Sequence, residues 1–186
     1  MTLALHRVFP WDQHAPAGAP FAPDYVPPQQ GSGRFDLPDS LVLYLGESAE
    51  HPVAEVLQGF RGRPFRDGVL RRFGHPLALV RITLPGDLAA GIVDLDDPAR
   101  LTALSLRPSD VASDDRSRTR EIAARLADGG ATGLRWWSRL SGDWHGVVLF
   151  LRHAPLDRLS FGAPEVLTRG HPAVAGACRL LAIELP

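Results

Sequence analysis

"GSGRFDLPDSLVLYLGESAEHPVAEVL", Gly31 to Leu57, decides how the chain is read. At its centre "SLVLYLG" (Ser40–Gly46) is a continuous apolar run closed by glycine, the pattern of a strand buried on both faces. Beyond it, Val53, Val56, Leu57 and Phe60 recur at i, i+3, i+4 and i+7 and draw one apolar face on a helix. That helix should start near Ser48–His51, with Pro52 in its first turn. Glu55 falls off the stripe, so periodicity alone turns it toward solvent. Ahead of the strand, Arg34 follows a Gly-Ser-Gly turn. A loop, a strand and a helix thus present Arg34, Tyr44 and Glu55 in short succession. Ordinary surface charges explain that arrangement, and so does one polar site at a common rim.

On the N-terminal side, "LALHRVF" (Leu3–Phe9) alternates and predicts a first strand. Residues 10–33 are rich in proline, which fixes φ and removes backbone donors. They can be neither a helix nor a central strand, and form a long ordered loop or a flexible arm. A loop of that length inside a domain is often functional.

On the C-terminal side, "PLALVRITL" (Pro76–Leu84) predicts a strand ended by Pro85-Gly86. "GIVDLDD" (Gly91–Asp97) predicts a short strand, with Asp97 and Pro98 as N-cap and first residue of a helix. "DRSRTREIAARLADGG" is the clearest helix. It buries Ile122, Ala123 and Leu126 and stops at Gly129-Gly130. "TGLRWWSRLSGDWHGVVLFL" reads as strand, turn around Ser141–Asp143, and strand. The tail "HPAVAGACRLLAIELP" reads as a short helix and a last strand, Arg179–Leu185. Strands and helices mix without regular alternation. The expected fold class is therefore α+β: one domain over residues 1–186, with small mixed or antiparallel sheets flanked by helices.

Composition narrows the function classes. Hydrophobic residues make up 45% of the 186 and charged residues 22%, enough for a core and unlike a disordered chain. The net charge of −1 argues against direct nucleic-acid binding and against a polybasic membrane patch. All 20 basic residues are arginine, which points to coding bias, so a lone arginine is a weak sign of phosphate binding. The one cysteine, Cys178, allows no internal disulfide and fits a reducing compartment. The N-terminus lacks the pattern of a signal peptide, and the longest apolar runs fall short of the ~18 residues of a membrane span. A cytoplasmic protein is expected.

Motifs exclude more than they assign. The seven histidines form no H-E-x-x-H or other close helical pair, so no metal site is expected. "DLDDP" (Asp94–Pro98) is better read as capping than as a calcium loop. P-loop, G-x-G-x-x-G and G-x-S-x-G fingerprints are absent from the sequence. Taken singly, Ser138 is a strand-end serine, and Trp136, Trp137 and Trp144 are core residues.

Taken in order, G-R-F, Y-L-G-E-S, A-E-V-L, I-V-D-L, T-R-E-I-A, G-L-R-W-W-S-R and V-V-L-F resemble the RES-domain family, named for an Arg, a Glu and a Ser. The resemblance spans roughly residues 6 to 151. It implies an ADP-ribosyltransferase-like fold and a toxin of a bacterial toxin–antitoxin pair. Such toxins consume NAD⁺, cleaving it by hydrolysis or phosphorolysis or transferring ADP-ribose to a protein. By that resemblance the family arginine falls on Arg34, its aromatic partner on Tyr44, its glutamate on Glu55 and its serine on Ser138. Glu55 and Arg34 would be catalytic; Arg34, Tyr44 and Ser138 would bind substrate. NAD⁺ would be a substrate, with no prosthetic group. Phosphate or an acceptor protein, and a small helix-turn-helix antitoxin, would be the further partners. A non-catalytic domain that binds a nucleotide or a partner protein is the rival reading.

Overall fold

The computed structural model describes residues 2–185, apart from the side chain of Asp67, so Met1 and Pro186 of the expected single domain lie outside the described residues. In chain order the strands are β1 (Leu3–Pro10), β2 (Val42–Gly46), β3 (Arg71–Arg72), β4 (His75–Leu84), β5 (Ile92–Asp94), β6 (Gly133–Trp137), β7 (His145–Phe150), β8 (Ser160–Phe161) and β9 (Glu165–Val166). The helices are α1 (Glu50–Leu57), α2 (Gly86–Ala90), α3 (Pro98–Ala103), α4 (Pro108–Val111), α5 (Arg116–Asp128) and α6 (Pro172–Leu180).

The strands join into one sheet of order β3-β4-β1-β2-β7-β6-β5, with β8 and β9 also pairing β4. Pairing is antiparallel except between β5 and β6. The α+β class is the expected one, and the small sheets of the sequence reading are continuous in space. The longest seam, β1 on β4, runs from Leu3↔Leu84 to Pro10↔Leu77.

Because side chains alternate across a strand, each long strand serves two cores. Leu43 and Leu45 of β2 and Val147 and Leu149 of β7 enter one core, with Leu5 of β1 and Ile82 of β4. Val42 of β2 and Val148 and Phe150 of β7 enter the opposite core, beneath Ile122, Ala123 and Leu126 of α5. A third cluster packs Val53, Ala54 and Leu57 of α1 against Val174, Ala177 and Cys178 of α6. Burial on both faces explains why "LVLYLG" is an apolar run instead of an alternation. The α1 start also follows expectation: the His51 N–H donates to Ser48 Oγ at 3.2 Å.

Two expectations are corrected. The strand expected over Arg179–Leu185 does not form. α6 continues to Leu180, Ala182 takes φ of 51°, and Glu184 makes a single bridge to Pro64. Ala177, Cys178 and Leu181 are all buried at helical spacing, so the apolar run satisfies a helix end as well as a strand. Pro85-Gly86 does more than end β4, because it opens the short helix α2.

The proline-rich segment is an ordered loop fastened from below. Arg7 of β1 donates to the carbonyl oxygens of Pro23 and Tyr25 at 3.0 and 2.8 Å. Burial lowers the pKa of Arg7 to about 10, and the nearby Asp24 opposes the shift. Further along, the Gln30 side-chain amide accepts from the Val42 N–H at 2.9 Å and donates to the Val42 carbonyl at 2.8 Å. That side chain thereby stands in for one residue of a neighbouring strand.

Arg7→Ala should cost about 2–3 kcal/mol of stability, the range for losing bonds made by a charged donor. Limited proteolysis should then cut within residues 10–33 before it cuts the sheet. A variant as protease-resistant as the wild type would show that Arg7 does not fasten the segment.

Candidate functional site

Beside β2, where the segment 26–34 crosses the strand, lies a cavity of about 880 Å³. Arg34, Tyr44 and Glu55 all line it, brought from loop, strand and helix to one place. Arg7, Arg61, Arg116 and Arg139 line it too, and Glu55 is the one carboxylate in its described wall. Trp136 forms part of the same wall, 4.9 Å from the Phe35 ring and edge-on to Tyr44 at 6.2 Å. Gly146 makes room for it, since a Cβ there would come within 2.5 Å of the indole.

The Gly31–Asp36 loop is set by side chains. Asp36 is buried and its Oδ2 accepts from the N–H groups of Gly31 and Gly33, both at 2.7 Å. Its Oδ1 accepts from the Tyr44 hydroxyl at 2.9 Å, and that hydroxyl accepts from the Phe35 N–H at 2.8 Å. From α5, Arg120 donates to the carbonyls of Gly33, at 3.1 Å, and of Gly31, while Thr119 donates to the carbonyl of Arg34. Gly33 has to be glycine, because a Cβ would overlap both Asp36 Oδ1 and the Tyr44 hydroxyl. Composition and motif reading pass over Asp36 and Arg120. Their signals were an acid three residues after a Gly-Ser-Gly turn and the T-R-E-I-A stretch.

Arg34 is half-buried. Its Nη2 donates to the carbonyls of Val111 and, at 3.2 Å, Ser113, while its Nε is buried without a partner. Burial lowers its pKa first and the Arg139 charge second; Asp114 and Glu55 oppose them. Burial and then Asp36 push the Tyr44 phenol far above its ordinary value of 10.0.

Glu55 is half-exposed at the cavity mouth, held by Gln58 Nε2 at 2.9 Å, with His51 Nε2 3.4 Å away. His51 is buried, and its Nδ1 meets the His145 carbonyl at 3.1 Å. A carbonyl only accepts, so Nδ1 carries a proton there and the ring is fixed with Nε2 toward Glu55. The His145 ring sits in a charged network next door. Arg135 grips Glu47 at 2.7 Å and Asp94 at 3.0 Å, and His145 Nε2 lies 2.9 Å from Asp96.

Ser138 does not line the cavity. It is buried, and its Oγ accepts from the Leu140 N–H at 3.1 Å, closing the turn that brings Arg139 and Leu140 to the wall. Trp144 packs over His51 at 5.7 Å in the core, and the plain account of that tryptophan holds. Among the described residues no group of three His, Cys, Asp or Glu is placed to hold a metal ion, and no helix is long and apolar enough to cross a membrane.

A family model described as "RES domain" matches residues 4–167. The fold is similar to a chain of the crystal structure of the M. tuberculosis MbcT–MbcA toxin–antitoxin complex. The TM-score is 0.63 and the identity 18%, over 98% of this chain and 90% of that one. No curated protein matches the sequence.

Removing the Asp36 carboxylate strands three donors. Asp36→Ala should therefore destabilise by about 3 kcal/mol or more, and Asp36→Asn by less, as read by urea unfolding. An Asp36→Ala variant of wild-type stability would show that the clamp does not hold the loop. A second effect is set by the sign of the Tyr44 shift. The folded state holds the phenol proton more tightly, so its contribution is complete below pH of about 10 and is lost as pH rises further. Tyr44→Phe should flatten that alkaline loss. An unchanged stability–pH slope would locate the loss in another group.

Proposed function

Because this chain belongs to the RES-domain family, we propose that it is an NAD⁺-consuming toxin of a toxin–antitoxin pair, breaking the nicotinamide–ribose bond. The observation that supports this reading is the charge pattern of the cavity: Arg7, Arg34, Arg61, Arg116 and Arg139 around it, and the carboxylate of Glu55 at its mouth. A dinucleotide has the matching anatomy. Its pyrophosphate calls for guanidinium groups, and its reacting ribose develops positive charge that calls for a carboxylate. The volume of about 880 Å³ also falls in the range of small-molecule sites.

In this reading each group has a role. The bond from ribose C1′ to the nicotinamide nitrogen breaks, and its electron pair stays with the nicotinamide, which leaves neutral and needs no strong general acid. An oxygen of phosphate, or of a water that gives up a proton to solvent, then bonds to C1′. If a protein is the acceptor, one of its side chains takes that place. Glu55 accepts a hydrogen bond from a ribose hydroxyl and stabilises the oxocarbenium charge, a contact stronger in the transition state than before it. Arg34 has its Nη2 committed to the Val111 and Ser113 carbonyls and its Nε buried, so the side chain is held in place and Nη1 is the nitrogen left for a phosphate oxygen. Tyr44 and Trp136 offer aromatic surface to the base or ribose. Ser138 spends its oxygen on Leu140 and keeps its hydroxyl proton. It shapes the wall as it stands, and donates to a phosphate if the turn opens. The partner in the cell is a small helix-turn-helix antitoxin that prevents NAD⁺ entry.

Purified protein should release nicotinamide from NAD⁺, with phosphate present or absent according to the acceptor. No release under either condition, and no labelling of lysate proteins by tagged NAD⁺, removes the enzyme reading and leaves a binding module. Glu55→Gln should cost at least ~100-fold in rate, as for other preorganised groups. It should change stability by no more than about 0.5 kcal/mol, since Glu55 is a surface position. Full activity in that variant would mean a different carboxylate.

Arg34→Lys should weaken NAD⁺ use and Arg34→Ala abolish it, because a single ammonium cannot hold the Val111 and Ser113 carbonyls and reach the ligand at once. In cells, induced wild type should stop growth and lower NAD⁺ while Arg34→Ala does neither. Arrest without NAD⁺ loss would favour ADP-ribosylation of a protein.

A further inference from the structure

One stretch leads away from the cavity and carries a charge that the site uses only at Arg61. "QGFRGRPFRDGVLRRFGH" (Gln58–His75) holds five arginines, Arg61, Arg63, Arg66, Arg71 and Arg72, against the single acid Asp67. The whole chain has a net charge of −1, so the rest of the molecule carries an excess of five negative charges. All five arginines are exposed, and none forms an ion pair among the described residues. Elsewhere Arg118, Arg135, Arg139, Arg152 and Arg158 each hold a carboxylate, and arginines without one among the described residues, such as Arg81, Arg100 and Arg179, are scattered along the chain. Coding bias accounts for arginine in place of lysine. It does not account for five unneutralised charges between Arg61 and Arg72, along a loop and the short strand β3.

The second observation is Phe73. It sits at the tip of the β3–β4 hairpin and is 76% exposed. Phe73 and Gly74 have φ of 54° and 82°, the left-handed pair of a two-residue type I′ turn. Asn-Gly suits that turn, and a bulky side chain at its first position is strained. Its ring lies 6.4 Å from the Phe21 ring, which itself stacks on His75 at 4.2 Å. The chain therefore bears local strain to display an aromatic residue. Charged side chains on an edge strand such as β3 can serve to block sheet-to-sheet pairing. An exposed phenylalanine works against that purpose, so edge protection does not explain the pair of features. Arginine and aromatic residues are the types that dominate binding hot spots.

We infer that Arg63, Arg66, Arg71, Arg72 and Phe73 form a docking surface for an acidic segment of a partner protein, with Phe73 as its apolar anchor. A long duplex or an anionic membrane would extend past this loop onto the acidic remainder of the molecule and be repelled. A short acidic segment is not. The surface runs into the cavity mouth through Arg61, which lines both, so a bound segment obstructs entry. That last step rests on the cavity being the active site; the docking itself does not.

The test is fluorescence anisotropy with a labelled Glu-Glu-Leu-Phe repeat peptide, an equally labelled DNA duplex, and phosphatidylserine vesicles. Wild type should bind the peptide in preference to the other two, less tightly as salt is added. The Arg63→Ser, Arg66→Ser, Arg72→Ser triple variant should lose at least about tenfold in affinity. Phe73→Asn relieves the turn and should raise thermal stability while weakening the peptide complex, which separates binding from folding. Tighter binding of duplex or vesicles overturns the inference. So does equal peptide binding by wild type and both variants, or no peptide binding at all. The anisotropy reads binding whether or not the protein turns over NAD⁺. Inhibition of nicotinamide release by the peptide, measured alongside, tests the obstruction separately.

Discussion

The Asp36 carboxylate against the Gly31–Arg34 loop is the contact on which the site depends. A Gly-Ser-Gly turn beside a cavity exposes backbone N–H and C=O groups that no strand or helix can satisfy. Here side chains take both sets: Asp36 the N–H groups of Gly31 and Gly33, Arg120 their carbonyls, Thr119 the carbonyl of Arg34. Because Asp36 also receives the Tyr44 hydroxyl, the loop and strand β2 are fixed to one another. Because Arg120 and Thr119 lie on α5, the loop is also fixed to the helix that covers the sheet. Arg34 therefore reaches the cavity from a backbone with little freedom, which is what preorganised recognition needs.

Electrostatics gives that rigidity its use. Arg34 and Arg139 repel one another across the cavity, and burial adds to the cost of charging Arg34. Asp114 and Glu55 offset part of that cost, and an anion placed beside Arg34 would offset more. Glu55 is kept at the mouth by Gln58, beside His51, on the exposed side of α1. Arg7 and Arg34 are the more deeply placed charges of the cavity and Glu55 lies at its mouth, an arrangement suited to a ligand with an anionic part and a cationic reacting end.

The parts of this site that were legible in the sequence are local ones. Arg34, Tyr44 and Glu55 lie within one strand-centred stretch, and helical phase placed Glu55 off the buried face of α1, where it is found. The clamp was not legible, because Arg120 meets Gly33 across 87 residues and no local pattern encodes a contact of that span. The arginine bonds of the proline-rich segment were hidden for the same reason. The tail was misread for a different one. Leu180 to Leu185 is short and apolar, and in so short a run helix and strand periods cannot be told apart. Ser138 shows a third kind of limit: order along the chain identifies it, yet only packing reveals that its oxygen is already bonded to Leu140.

The proline-rich segment ties these threads together. Six prolines interrupt its backbone donors, so it builds short turns instead of sheet and takes further fastening from the domain. It borrows from Arg7 and from the edge of β2 through Gln30. Arg7, Gln30, Val26 and Pro27 all line the cavity. Fastening the segment and shaping the cavity are therefore one act, performed by the same residues. An arginine that is buried to hold two carbonyls also places its charge beside the ligand space. The segment that reads as an appendage in the sequence is a wall of the site.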